Sequence, residues 1–266
     1  MRRVAVLLLA AFVAACAREP IKPTPAQVAE LAPTGKLRAA INFGNPVLAS
    51  KDPATGEARG VSVDLSRELA KRLGVPLEIV PFTAAGRVVD AVKTGSWDVG
   101  YVAIDPQRAR DMIQSPAYVV IEGSYLVPAD SPIRSNAEVD REGNRIVVGK
   151  GSAYDLFLSR EIKRAMLVRA PTSPEVVSTM LSDKLEVAAG VRQQLEADAA
   201  RTPGVRLLAG RFMTINQAMA VPKGRDAGAG YVHDFIEEMK ATGFVAQSLA
   251  RHKVEGAAVA GPDDPK

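Results

Sequence analysis

The sequence predicts an α/β protein of two lobes, each built on a mixed, mainly parallel sheet flanked by helices. Three observations predict this architecture. β-rich and helical segments alternate between residues 37 and 104 in the order β-α-β-α-β, which is typical of parallel strands with right-handed crossovers. The alternation returns at 146–208. Two long β-rich segments, 118–127 and 212–221, flank that second set and predict strands that cross between the lobes.

Composition indicates a folded protein and argues against nucleic acid as a partner. Of 266 residues, 47% are hydrophobic and 24% are charged, which permits a sizeable core. The formal net charge is only +4, and two of the cations are Arg2 and Arg3. No basic block with interleaved aromatic residues occurs, so no nucleic-acid interface is predicted.

The N-terminus is typical of a secretory signal. Residues 1–15, MRRVAVLLLAAFVAA, carry two arginines and then an apolar run too short to span a bilayer comfortably. Cys16 is the single cysteine, so an intramolecular disulfide is excluded. It follows Val-Ala-Ala, a junction that resembles the lipobox of bacterial lipoproteins. We predict a lipid anchor at Cys16 and a proline-rich tether over 16–35, with an ordinary signal containing a cysteine as the alternative.

The first lobe is predicted from short elements with clear boundaries. Apolar residues recur every fourth position from Val61 to Leu73, and Gly74 closes the helix. Turn residues at 51–60 indicate a hairpin. The remaining elements are strands at 37–43, 77–82 and 99–104 and a helix at 86–93.

Arg108 lies where an anion could bind. Asp105 and Pro106 follow the strand at 99–104 and are typical of an N-cap and a first helical residue. Arg108 would then stand in the first turn, beside free backbone N–H groups and the positive end of the helix dipole. A guanidinium there could hold a carboxylate through two hydrogen bonds. A solvated arginine paired with Asp105 or Asp111 is the alternative.

This stretch resembles a segment of the bacterial extracellular solute-binding proteins of family 3, the polar amino-acid type. In that family a strand ending in small residues is followed by Thr-Pro-Glu-Arg or similar, and then by Phe-Ser-x-Pro-Tyr. Here the motifs are Asp-Pro-Gln-Arg at 105–108 and Gln-Ser-Pro-Ala-Tyr at 114–118. The family's arginine grips the ligand carboxylate, so the resemblance assigns that role to Arg108.

The resemblance also implies further ligand contacts in the first lobe. In the family, some contacts come from the loop after the first strand, so Asn42 and Asn45 are candidates, with loop-capping amides as the alternative. Tyr101 and Ala103, on the strand before Arg108, are candidates as well.

The resemblance spans roughly residues 36–254 and implies the fold of a type II periplasmic binding protein. The predicted boundaries are a signal at 1–15, an anchor and tether at 16–35, lobe I at 36–125 plus 218–254, lobe II at 126–217 and a tail at 255–266. Hinge closure is expected at the crossing strands, near 125–128 and 215–218.

The second lobe contains a glycine-rich turn, Gly-Lys-Gly-Ser at 149–152. It fails as a phosphate loop, because position 144 is asparagine and position 151 is glycine. It resembles the family's Gly-x-x-Gly-Ser/Thr-Thr element, so backbone N–H groups at Gly151 and the hydroxyl of Ser152 are candidates to bind an anion from the opposite lobe. A simple helix cap by Ser152 is the alternative.

One departure from the family bears on the ligand. Amino-acid binders place an aspartate just after the third strand of the second lobe, where it pairs with the α-ammonium. Here Val191 and Arg192 follow that strand. A buried ammonium without a counter-charge is costly, so we expect a carboxylate ligand that lacks it, with a second acidic group reaching Arg192. Glu122 moving in to replace the aspartate is the alternative.

The sequence shows few of the residue patterns that are typical of an enzyme active site. The two histidines, His233 and His252, lie in the terminal helical segment, and neither nucleophile–histidine pairing nor metal-ligand spacing is evident. We therefore expect a monomeric, periplasmic, lipid-anchored binding protein of an ABC importer, without cofactor or metal. The alternative is a periplasmic dehydratase of the prephenate or arogenate type, which shares this fold.

Overall fold

The computed structural model describes residues 19–262; the signal segment and Cys16 lie outside this range. Its strands are β1 (Leu37–Asn42), β2 (Ser50–Lys51), β3 (Ala58–Arg59), β4 (Leu77–Phe82), β5 (Val99–Ala103), β6 (Met112–Pro128), β7 (Arg145–Gly149), β8 (Met166–Ala170), β9 (Val187–Val191), β10 (Val205–Leu207), β11 (Met213–Pro222) and β12 (Ala258–Val259). Its α-helices are α1 (Pro25–Leu31), α2 (Val61–Leu73), α3 (Ala85–Asp90), α4 (Ala153–Glu161), α5 (Val176–Ser182), α6 (Arg192–Arg201), α7 (Asp226–Ala241) and α8 (Phe244–Arg251).

Ten of these strands form one sheet in the order β4-β1-β5-β11-β6-β9-β7-β8, with β10 and β12 paired to β6. In one half, β1 pairs in parallel with β4 and β5. In the other half, β7 pairs in parallel with β8 and β9. We call these halves lobe I and lobe II. The predicted fold class is confirmed, and β2 and β3 form the predicted hairpin.

The two antiparallel central strands, β6 and β11, run through both lobes. β11 pairs with β5 of lobe I from Gln217 to Ala220. β6 pairs with β9 of lobe II from Gly123 to Leu126. The pairing between β6 and β11 shifts register around Ala218. Such irregularities bend a strand locally, so these two strands are where a hinge is expected.

Buried side chains and a closing glycine account for α2, one of the helices that flank lobe I. On α2, Val61, Leu65 and Leu69 are fully buried, which is the apolar stripe that the sequence predicted. Gly74 ends this helix in the left-handed region, at φ 68°, where glycine pays no steric penalty.

The helix predicted after Pro106 is wrong. Only a 3₁₀ turn forms, over Arg108–Arg110. The Asp105 side chain still accepts a hydrogen bond from the Gln107 N–H, at 2.8 Å, but β6 begins at Met112. A helix this short has no useful dipole, so an anion beside Arg108 gains no stabilisation from one.

The predicted tether and tail are also corrected in part. Leu31 on α1 is fully buried, and α1 packs on α7. Ile21 donates its N–H to Glu238 Oε2 at 3.1 Å and accepts from the Tyr231 hydroxyl at 3.0 Å. At the other end, β12 extends the sheet beside β6. Neither contact was predicted from the sequence, because proline-rich and terminal segments carry no strong periodicity.

A truncation tests this correction. A chain that begins at Pro23 should be less stable than one that begins at Glu19 by about 1–2 kcal/mol, because it loses both hydrogen bonds of Ile21. Urea unfolding of the two chains measures the difference. Equal midpoints would show that Ile21 does not anchor the segment.

Candidate functional site

A cavity of about 50 Å³ lies between the lobes, at the carboxyl ends of β1, β5 and β9. This is where ligands bind in open parallel sheets. Its lobe I wall includes Asn42, Asn45, Pro46, Tyr101, Ala103 and Arg108. Its lobe II wall includes Ser152, Tyr154, Ser173, Val191 and Gln194, and β11 adds Ile215 and Gln217.

Arg108 is the cation of this cavity and is buried, with 1% of its surface exposed. Its Nη1 donates to the Ala103 carbonyl at 3.0 Å, and its Nη2 donates to the Gly151 carbonyl at 2.8 Å. Its Nε is buried without a hydrogen-bond partner among the described residues. Burial lowers the pKa of Arg108 to about 10, opposed by the nearby Asp105 carboxylate. The guanidinium is therefore charged at neutral pH.

Neighbouring residues hold the Arg108 turn in place without pairing to the arginine. Gln114 bridges the turn, donating to the Ala103 carbonyl at 2.9 Å and accepting from the Asp105 N–H at 3.2 Å. Asp105 pairs with Arg160 of lobe II at 2.9 Å, and Asp111 pairs with Lys93 at 3.7 Å. The alternative of a surface arginine bound to Asp105 or Asp111 is therefore not what the described residues form.

The glycine-rich turn approaches lobe I closely, and its backbone N–H groups at 151 and 152 form hydrogen bonds within lobe II. The Gly151 N–H donates to Asp155 Oδ2 at 2.8 Å, and the Ser152 N–H donates to the Gly149 carbonyl at 3.0 Å. Ser152 Oγ caps α4 by accepting from the Asp155 N–H. Both N–H groups are therefore occupied within lobe II, whereas the Ser152 hydroxyl accepts one hydrogen bond and still lines the cavity.

Gly151 nevertheless has a role that only glycine fits. Its φ is +70°, and a Cβ there would lie 2.7 Å from Gly86 Cα. The backbone of lobe II thus touches the first turn of α3 in lobe I, and the Gly151 carbonyl also reaches Arg108.

The candidates predicted on lobe I all line the cavity. Asn42 Oδ1 accepts from the Gly44 N–H at 3.0 Å, as a loop-capping amide does. Asn45 Oδ1 is buried without a partner among the described residues. Tyr101 is tied to Ser66 by a 2.9 Å hydrogen bond, so its ring, rather than its hydroxyl, is available. Ala103 contributes its backbone, which positions Arg108.

Arg192 is not among the described residues that line the cavity, and its contact with a ligand stays a prediction. Its Nε donates to Glu122 at 2.8 Å, and its Nη2 donates to the Gly210 carbonyl. Pairing of Gly123 with Val191 across β6 and β9 sets Glu122 beside Arg192. Arg211 also pairs with Glu122, at 2.8 Å, and the two arginines lower the pKa of that carboxyl. Glu122 is therefore held outside the cavity as well.

Sequence reasoning missed several neutral polar residues of the cavity. Tyr154 donates its hydroxyl to Ser173 Oγ at 2.8 Å, and Gln194 donates to the Asp198 carboxylate at 3.0 Å. Tyr154 and Gln194 lie in the first turns of helices that follow strands β7 and β9. That position after a parallel strand is the signal that could have found them.

Among the described residues that line the cavity, the one charged side chain is a cation. Arg108 is accompanied by amides, hydroxyls and apolar groups, and no aspartate or glutamate lines the described wall. Within residues 19–262, no three His, Cys, Asp or Glu side chains are grouped to hold a metal ion. No helix in that range has both the length and the apolar content to cross a membrane.

Comparison with known proteins identifies the family. A model of the bacterial extracellular solute-binding proteins, family 3, matches residues 37–254. The chain belongs to this family. The resemblance noted in the motifs at 105–108 and 114–118 is thereby confirmed.

Relatives of this family 3 protein add context. A glutamine-binding protein from Geobacillus stearothermophilus is 27% identical over 123 residues, which span 44% of this chain and 46% of that protein. The match thus covers about half of that relative's length.

Solved structures show the same fold. A solute receptor for L-cysteine of Neisseria gonorrhoeae matches with TM-score 0.75 and 23% identity over 86% of this chain and 94% of that one. A mutant of ArgBP from T. maritima matches with TM-score 0.73 and 20% identity, over 86% and 100%. An ancestral amino acid-binding protein, described as a precursor of cyclohexadienyl dehydratase, matches with TM-score 0.71 and 21% identity over 84% and 98%. These likenesses confirm the type II periplasmic binding protein fold.

Proposed function

We propose that this family 3 protein captures a small carboxylate-bearing solute between its lobes and presents it to the permease of an ABC importer. Arg108 carries the proposal. It is a buried, charged guanidinium whose Nε lacks a partner among the described residues, inside a cavity lined by both lobes. A buried arginine in this state calls for an anionic partner.

The ligand is, in our proposal, an organic acid without an α-ammonium group. The described wall offers no carboxylate to an ammonium, and Val191 occupies the end of β9, where an aspartate would be expected by resemblance to the family. An unpaired ammonium enclosed there would cost several kcal/mol. The relatives' names point instead to amino acids, so an amino-acid ligand is the competing proposal.

Neutral polar groups would select the rest of the ligand. Asn45 has a buried amide oxygen without a partner among the described residues, and the Tyr154 and Ser173 hydroxyls line the other wall. Together they favour a hydroxy or keto acid, whose neutral group can hydrogen-bond to amides and hydroxyls. A dehydratase is favoured less, because the described wall offers no carboxyl group for proton transfer.

Closure would bring lobe I (36–125 plus 218–254) onto lobe II (126–217) by bending of β6 and β11. Two contacts between the lobes support this: the hydrogen bond from Arg108 to the Gly151 carbonyl and the ion pair of Asp105 with Arg160. We propose that the closed protein is a monomer when the permease receives it.

A thermal-shift screen of small acids against the full-length chain tests the function. A matched ligand at about a hundred times its dissociation constant adds about 2.7 kcal/mol of stability. For a body of this size, the midpoint should rise by roughly 5–10 °C. Incubation of the chain with prephenate provides the contrast, because rapid turnover of prephenate would favour the dehydratase instead.

A lipid anchor at Cys16 is the second part of the proposal, with the body held in the periplasm. Cys16→Ser removes the residue that would carry the acyl chains on which stable anchoring depends. The variant should therefore move from the membrane fraction to the soluble fraction without altering its melting curve. Ala17→Ser is the matched control and should stay with the membrane. Detergent-dependent extraction of Cys16→Ser would remove the anchor from the proposal.

A further inference from the structure

A second cavity, of about 420 Å³, lies on lobe I behind the loop that follows β1. We call it the basic cavity. Its wall includes Pro46, Ser50, Arg59, Arg251, His252 and Lys253. Pro46 also lines the cavity between the lobes, so one loop separates the two spaces, while Arg108 belongs only to the first.

Cations from two distant segments meet in the basic cavity. Arg59 comes from β3, and Arg251, His252 and Lys253 come from the end of α8 and the two residues after it. No aspartate or glutamate occurs among the described residues that line it. The wall therefore presents N–H donors, with the Ser50 hydroxyl beside them.

A carboxylate behind the wall holds two of these groups in position. Asp64 is 7% exposed, and its Oδ2 accepts from His252 Nε2 at 2.8 Å and from Arg251 Nη1 at 3.1 Å. Ser248 Oγ also donates to it, at 2.6 Å. Because one oxygen binds all three donors, Asp64 fixes the geometry and offsets only part of the charge.

The other two cations remain available to a ligand. Arg59 pairs with Asp52 through Nη1 at 3.2 Å, and its Nε donates to Ser50, which leaves Nη2 free among the described contacts. Lys253 is exposed, and its side chain forms no hydrogen bond or ion pair among residues 19–262. An unpaired ammonium beside two guanidinium groups, each paired with one carboxylate, favours an anion.

We propose that the basic cavity binds a phosphate group, as inorganic phosphate or as a phosphate monoester. The free Nη2 of Arg59, the Arg251 guanidinium and the Lys253 ammonium can each meet a different oxygen of a phosphate, which a single carboxylate cannot offer. The volume exceeds that of phosphate alone, so the organic part of a monoester fits. The phosphate could be free or part of a lipid headgroup, and the experiment distinguishes these sources. This site does not depend on the ligand proposed for the cavity between the lobes.

The backbone offers a matched pair of variants. Lys253 and Lys184 both have positive φ, 54° and 51°, and each follows the end of a helix. Glycine is favoured in this conformation, so Lys253→Gly and Lys184→Gly should both raise the melting midpoint without phosphate. Only Lys253 lies in the basic cavity; Lys184 lies in lobe II.

Calorimetry with inorganic phosphate at constant ionic strength, on the full-length chain in detergent, tests the proposal. Lys253→Gly should weaken phosphate binding at least tenfold, whereas Lys184→Gly and Lys253→Arg should change it less than twofold. Arg108→Ala should also leave it intact. Vesicles containing phosphatidic acid then separate the sources: Lys253-dependent association indicates a headgroup, and phosphate binding without it indicates a free phosphate.

Either source supports a phosphate site. The proposal is overturned if the chain binds phosphate no better than chloride, or if Lys253→Gly binds it as tightly as the parent chain. It is also overturned if Arg108→Ala abolishes the binding, because phosphate would then occupy the cavity between the lobes.

Discussion

Replacing Arg108 by alanine should weaken binding of any carboxylate ligand about a hundredfold, or about 3 kcal/mol. The variant leaves a buried anion without its charge-assisted partner. The fold should survive, because Ala103 keeps the hydrogen bond from Gln114 and the variant no longer buries a guanidinium. Calorimetry with the best acid from the screen measures the effect.

Arg110→Ala is the matched control. It removes an equal charge from the same 3₁₀ turn, but Arg110 is exposed, so affinity should stay within about twofold. An unchanged dissociation constant for Arg108→Ala would return that arginine to a structural role, in which it only links the Ala103 and Gly151 carbonyls.

Replacing Val191 by aspartate should reverse the ligand preference. The new carboxylate would face the cavity between the lobes beside the ligand and would pair with an α-ammonium, while it would repel an acid that lacks one. We expect the ratio of amino-acid to organic-acid affinity to rise about a hundredfold, or roughly 2.7 kcal/mol. Calorimetry with both ligand types measures this ratio.

Val191→Asn separates charge from helix capping. Val191 stands at the N-cap of α6 without a side-chain cap, so aspartate and asparagine should both stabilise that helix. Only the aspartate should recruit amino acids. If both variants keep the parent preference, residue 191 does not decide the ligand.

Much of the fold could be predicted from the sequence because local signals agreed with one another. The apolar stripe of α2 and its closing Gly74 predicted that helix within a residue, and β4 was predicted at its observed bounds, Leu77–Phe82. The prediction of a helix after Pro106 was wrong, although Asp105 caps the turn as expected. Only a 3₁₀ turn forms there, because β6 begins at Met112. Local capping signals cannot reveal how soon the next strand starts.

The candidate site was predictable where it depends on strand ends and less so where it depends on side-chain pairing. Asn42, Asn45 and Arg108 line the cavity as the parallel-strand rule implies. Arg192 does not, because its partner Glu122 is distant in sequence and is brought beside it only by the pairing of β6 with β9. The Gly151 N–H is bound to Asp155 at the start of α4, and the Ser152 N–H to the Gly149 carbonyl within the turn.

Calorimetry on matched ligand pairs tests the central claim most directly. Each pair is an amino acid and the 2-hydroxy acid with the same side chain, titrated into the full-length chain. We predict that the hydroxy acid of the best pair binds at least tenfold more tightly, a difference of about 1.4 kcal/mol, and that Arg108→Ala loses both ligands. Tight binding of the amino acid with its hydroxy analogue inert would contradict the claim and would establish an amino-acid receptor instead.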